Sequence, residues 1–118
     1  TYLYNPKDGT LVYAGFLIRV KPNKNILDPK FLKYYCQTSQ YWSWVKVMSM
    51  RSGQPGINGQ EYAELELTIP SLPEQHAIVQ ILSDMDAEIE GLEKKLDKYK
   101  AIKQGMMQEL LTGKRRLV

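Results

Sequence analysis

Residues 71–113 read SLPEQHAIVQILSDMDAEIEGLEKKLDKYKAIKQGMMQELLTG, and the fold turns on whether this stretch is one helix. Apolar residues fall at Ile78, Leu82, Met85, Ile89, Leu92, Leu96, Tyr99, Ile102, Met106 and Leu110. Every step is three or four residues, the period of one helix face. As far as Tyr99 the steps alternate, which makes a heptad seam; the step from Tyr99 to Ile102 is a stammer-like break in it. Ser71 and Glu74 are spaced as a capping box, in which the serine hydroxyl accepts from the Glu74 N–H and the carboxylate from the Ser71 N–H. Thr112-Gly113 supplies the stop, with Gly113 as the C-terminal cap. A helix from Ser71 to Leu111 runs about 60 Å, more than a domain of this size is expected to measure across. Its seam therefore has to be buried against something else, and the expected partner is another long helix. Gly91 and Gly105 each cost about 1 kcal/mol relative to alanine; either they let a crossing helix come close or they are simply tolerated.

Upstream, LVYAGFLIRV (residues 11–20) is apolar and β-prone and predicts a buried strand, with Gly15 a possible bulge. Residues 1–4 read as a strand remnant and NPKDG as a turn. Asp28-Pro29 offers an N-cap with proline in the first helical position, so a helix is expected from Pro29 to about Gln37 with Phe31, Leu32, Tyr34 and Tyr35 on its apolar face. Thr38 or Ser39 can cap a second helix to about Met50, with Trp42 and Val45 on one face and Gly53 ending it. ELELTI, residues 64–69, alternates polar and apolar and predicts a second strand, stopped by Pro70. The expected class is α+β: a few strands and two short helices, then one long helix that pairs antiparallel as a coiled coil. The chain opens at Thr1 in mid-pattern, so a piece of a longer protein is expected.

The 118 residues suffice for one domain with a modest core. With one cysteine, Cys36, and one histidine, His76, neither an intramolecular disulfide nor a cysteine-rich zinc site can be built. His76 lies in the helical pattern, where a solvated or packed residue is the expected role. No nucleophile–histidine–acid triad or HExxH is present, so no catalytic site, metal or cofactor is expected. No leader or membrane-spanning run is visible, and a cytoplasmic protein without a membrane role is the expectation.

The net charge of +3 is unevenly placed. Residues 1–60 carry Lys7, Arg19, Lys21, Lys24, Lys30, Lys33, Lys46 and Arg51 against Asp8 and Asp28. The front of the long helix is acidic, at Glu74, Asp84, Asp86, Glu88, Glu90, Glu93 and Asp97, and its back is basic, at Lys98, Lys100 and Lys103, followed by Lys114, Arg115 and Arg116. A basic surface gathers polyanions; a charge-segregated helix favours an antiparallel partner. Between the two regions lies RSGQPGINGQ, residues 51–60. Its GQPG matches the Gly-x-x-Gly loop that clamps a nucleic-acid backbone in KH folds, although proline suits such a loop poorly. A phosphate-binding P-loop is excluded, because no Lys-Ser/Thr follows the glycines. Two readings stay open, a helix stop with a turn or a nucleic-acid contact. In the second, Arg51 reaches a phosphate or guanine, and Gln54 and Asn58 pair with adenine. Arg19, Lys21 and Lys46 complete the candidate contacts. In YWSW (residues 41–44) two tryptophans two apart cannot both be central core; the exposed one either stacks on single-stranded bases or packs against a neighbour.

Residues 56–117 carry a resemblance. Ile69-Pro70-Ser71-Leu72-Pro73, then Glu74-Gln75 with Ile78 and Leu82, and finally Lys103-Gln104-Gly105 through Leu110-Leu111-Thr112-Gly113-Lys114 with Arg116-Leu117, closely resemble the DNA-specificity subunit of type I restriction–modification enzymes. The match is to the end of a target-recognition domain and the conserved helix after it. The strand followed by DPKFLKYY is similar to a less regular part of the same family. The resemblance implies a non-catalytic subunit with two recognition domains, each reading half of a split site in double-stranded DNA. Two long helices would pack antiparallel as a spacer, methyltransferase subunits would dock on that frame, and the restriction subunit would join for cleavage. Gly105, within the family's Lys-Gln-Gly, gains a packing role on this reading. A complete recognition domain needs more non-helical chain than is present. The expected division is therefore the C-terminal part of a recognition domain at 1–70, a spacer and dimerisation helix at 71–113, and a basic tail at 114–118. In isolation the helix is expected to pair with a second copy. Two other classes remain: a homodimerising coiled-coil half-subunit or regulatory module with no DNA reading of its own, and a single-stranded DNA- or RNA-binding domain.

Overall fold

The computed structural model of the chain describes residues 1–50 and 53–118. Among the described residues there are four α-helices and one 3-10 turn, Pro6–Asp8. The chain divides into two compact units, Thr1–Val79 and Gln80–Val118.

Local capping chemistry starts each short helix. In α1 (Pro29–Tyr35) the Asp28 side chain accepts from Lys30 N–H and Phe31 N–H, and proline occupies the first turn, where its missing donor is harmless. In α2 (Ser39–Met48) Thr38 Oγ1 accepts from Tyr41 N–H at 3.2 Å. A third helix, α3 (Gly59–Ala63), was not expected from the sequence. It starts with a full capping box, in which Asn58 Oδ1 accepts from Gln60 and Glu61 N–H, and Glu61 Oε2 accepts from Asn58 N–H at 2.7 Å.

The long helix, α4, is continuous over Leu72–Leu111, 40 residues. It starts directly after Ser71, whose carbonyl accepts from Gln75 N–H at 2.9 Å. It ends as the sequence indicates. Gly113 takes φ +74°, a left-handed conformation open to glycine, while Gly113 N–H donates to Leu110 O and Arg115 N–H to Glu109 O. Glu90 and Lys94 pair one turn apart on the solvated face. A Cβ added at Gly91 or Gly105 would meet nothing within 4 Å, so neither glycine is explained by packing within the chain.

The expected α+β class is wrong: no strand forms among the described residues, and the fold is all-helical. Residues 1–4 form no strand either. Residues 11–20 are exposed throughout, with Val12 at 94% and Phe16 at 87%, and they are interrupted by a turn in which Leu17 N–H donates to Ala14 O at 2.9 Å. Gly15 sits in that turn rather than in a bulge. β-propensity measures how well a side chain fits a half-buried pleated surface. A strand also needs a neighbour to take its backbone hydrogen bonds and side-chain pairs, and no described segment of this chain pairs with residues 11–20. At 64–69 the pattern was half right. Leu65, Leu67 and Ile69 are half-buried and Glu66 and Thr68 exposed, so the alternation of faces holds without a ladder.

On the apolar face of α2, Val45 lies where expected but Trp42 does not. Tyr41 is buried, with Trp44, Val45 and Met48 half-buried beside it, while Trp42 is 56% exposed. The helix ends at Met48 with Ser49 as its cap, before Gly53 is reached.

Candidate functional site

The core of the first unit is small. Its buried apolar side chains are Cys36, Tyr41 and Val79, and its one fully buried polar side chain among the described residues is Gln75. Rings gather around Tyr41: Tyr35 and Trp42 meet it edge-on at centroid distances of 6.3 and 5.6 Å, and Trp44 stacks at 6.4 Å. Trp44 in turn lies 5.4 Å from Tyr62. The Tyr41 and Tyr62 hydroxyls share a hydrogen bond of 3.0 Å, which joins α2 to α3. Burial, and then that bond, push the Tyr41 phenol well above its usual range. Burial likewise pushes the Cys36 thiol up.

Gln75 uses its whole amide. Oε1 accepts from Asp28 N–H at 2.9 Å, and Nε2 donates to Ile26 O at 2.9 Å and Pro70 O at 2.8 Å. Asp28 meanwhile caps α1 through Oδ1, and its Oδ2 lies 3.3 Å from His76 Nε2. His76 is exposed and lies on α4, the helix in which the sequence placed it. The only sign of this node in the sequence was Glu74-Gln75 within the family resemblance; no periodicity marks a buried glutamine, because the residues that hold it lie near position 27 and at Pro70.

The candidate nucleic-acid contacts are on separate segments. Arg19 and Lys21 are exposed in the irregular stretch before α1, Lys46 is exposed on the last turn of α2, and Gln54 and Asn58 are exposed before α3. Asn58 Oδ1 is committed to capping α3. Arg51 lies outside the described residues. Among the described residues no group of His, Cys, Asp or Glu is arranged to hold a metal ion. No described helix is long and apolar enough to cross a membrane.

In the second unit the seam is open. Met85, Ile89, Leu92, Leu96, Tyr99 and Met106 are each more than half exposed, Ile102 is 45% exposed, and Leu110 is half-buried. From Tyr99 the apolar face broadens, as Met107 and Leu111 join Ile102, Met106 and Leu110 along a shallow strip. At the helix start Ile78 and Leu82 are half-buried, and the side chains facing the first unit's interior are Gln75 and Val79. The 40-residue helix thus presents an exposed apolar stripe, at heptad spacing as far as Tyr99, and is capped at its C-terminal end.

The model of the type I restriction modification DNA specificity domain matches residues 1–101. The chain belongs to this family. Among curated relatives of this specificity-domain chain, the "Putative type I restriction enzyme MjaX specificity subunit" of Methanocaldococcus jannaschii is 32% identical over 93% of this chain and 26% of its own length. The type I restriction enzyme MjaVIII specificity subunit of the same organism is 26% identical over 86% of this chain and 23% of its own length. The EcoDI specificity subunit of Escherichia coli is 28% identical over 76% of this chain and 20% of its own length. The specificity-domain chain thus spans about a quarter or less of the relatives it matches. No solved structure gives a significant match. The family is named for DNA specificity.

Proposed function

We propose that the chain is the C-terminal part of a DNA target-recognition domain, residues 1–70, joined to a spacer helix, residues 71–113, and a basic tail, in a non-catalytic specificity subunit of a type I restriction–modification complex acting in the cytoplasm. The observation that carries this reading is the open seam of α4 in a chain whose family is a DNA specificity domain. The helix pairs antiparallel with another long helix, its acidic front against a basic back, and holds recognition domains at a fixed spacing on duplex DNA. Methyltransferase subunits dock on this frame and the restriction subunit joins it; no cofactor is bound by the chain itself. Arg19, Lys21, Lys46, Arg51, Gln54 and Asn58 are the candidate DNA contacts, with the basic residues supplying affinity and Gln54 and Asn58 the polar groups able to read bases. Without a partner, the same seam pairs two copies of the chain.

The deciding experiment is a tagged pull-down from the host cell with mass spectrometry of what is bound. Recovery of an adenine methyltransferase subunit is the expected result. Recovery of the chain alone, from an extract shown to contain that methyltransferase, would leave only a self-pairing coiled coil.

A further inference from the structure

The root of α4 is held by a polar node more than by an apolar core. The first two turns of α4 belong to the same compact unit as residues 1–71. The buried apolar side chain they contribute is Val79, and the side chain at 0% exposure is Gln75. Its amide binds two carbonyls and one N–H from three backbone positions, at 2.8–2.9 Å. Those positions lie on both sides of the unit: Ile26 and Asp28 precede α1, and Pro70 ends the extended stretch that enters α4. Asp28 ties the node to α1 as its N-cap and to His76 on α4. A glutamine so placed tolerates no close substitute. Glutamate keeps the shape but presents a carboxylate to two carbonyl oxygens, and methionine keeps the volume but leaves three backbone groups unpaired.

We infer that Gln75 is a positioning residue that fixes the seat of the first two turns of α4 in the first unit, and so sharpens the spacer length the assembled subunit accepts between its two half-sites. The inference rests on the spacer reading given above. A helix root held at one amide by three hydrogen bonds has one seat; freeing that amide loosens it, and spacing discrimination declines while the contacts to each half-site persist.

The test compares the intact specificity subunit carrying this sequence with its Gln75→Glu and Gln75→Met variants, each co-purified with methyltransferase subunits. Methylation is measured on duplexes with the native spacer and with spacers one base pair shorter and longer. The expected result is that the preference for the native spacer falls about tenfold, the equivalent of about one positioned hydrogen bond. A reduction of equal size on all three duplexes, with the preference intact, overturns the inference. Hydrogen exchange on the wild-type subunit decides the case even if both variants misfold: the Asp28 N–H, which donates to Gln75 Oε1, is expected to be protected to the same degree as the hydrogen-bonded Gln75 N–H, and exchange at loop rates overturns the inference. A wild-type subunit that shows no spacer preference at all overturns the spacer reading itself, and the exchange result still judges the node.

Discussion

Tyr41 and Tyr62 show how a single pair can organise a small unit. Their shared hydrogen bond crosses from α2 to α3, and both rings lie against Trp44. Replacing either tyrosine with phenylalanine removes that bond and leaves the surviving hydroxyl without it. Each single change is expected to destabilise the unit by about 1 kcal/mol in urea unfolding, and the double change by little more than one of them, because the two act as one interaction. Asn58 and Gln75 define how far the residue scale could be read in advance. Asn58 was marked as a polar residue able to meet a base, while the signal for its capping role, Glu61 three residues on, was present and unused. Gln75 could not be found from local pattern, because its partners lie 47 and 49 residues away as well as at Pro70.

At the scale of elements, what local chemistry decides was legible, and what needs a distant neighbour was not. The start of α1 at Asp28-Pro29, the start of α2 at Thr38 and the end of α4 at Gly113 each rest on a cap made within a few residues, and each was readable. The strands at 11–20 and 64–69 failed for the opposite reason. Alternation foretells which side chains face inward, as it does at Leu65, Leu67 and Ile69, but a ladder is made by another segment. The seam of α4 was likewise readable as a face, though only the structure shows how open that face is. Placing aspartate at Ile89 and Leu96 sets two charges in the middle of it. The doubly substituted chain is expected to be monomeric by light scattering or analytical ultracentrifugation, with the helix content of α4 retained by circular dichroism where the wild type pairs. An unchanged dimer mass would show that copies associate elsewhere.

At the scale of the whole molecule, residues 1–60 carry a basic excess, while α4 is acidic at its front and basic at its back. Arg19 and Lys21 stand in solvent in the stretch before α1, and Lys46 on α2; all three are among the proposed DNA contacts. Changing all three to alanine in the intact subunit is expected to weaken duplex binding across sequences, and to flatten the slope of log K against log salt by about 0.9 for each phosphate no longer neutralised. A slope unchanged by the triple substitution would move the DNA-facing surface elsewhere. One consequence of the small core reaches further. Among the described residues only Cys36, Tyr41 and Val79 of the apolar side chains are buried within this chain, so its unfolding uncovers little hydrocarbon to water. The heat-capacity increment that accompanies melting scales with that exposure, as does the steepness of a denaturant transition. By itself, then, this chain is expected to melt gradually over a wide temperature range by calorimetry, with a sharper peak expected once α4 is paired as proposed.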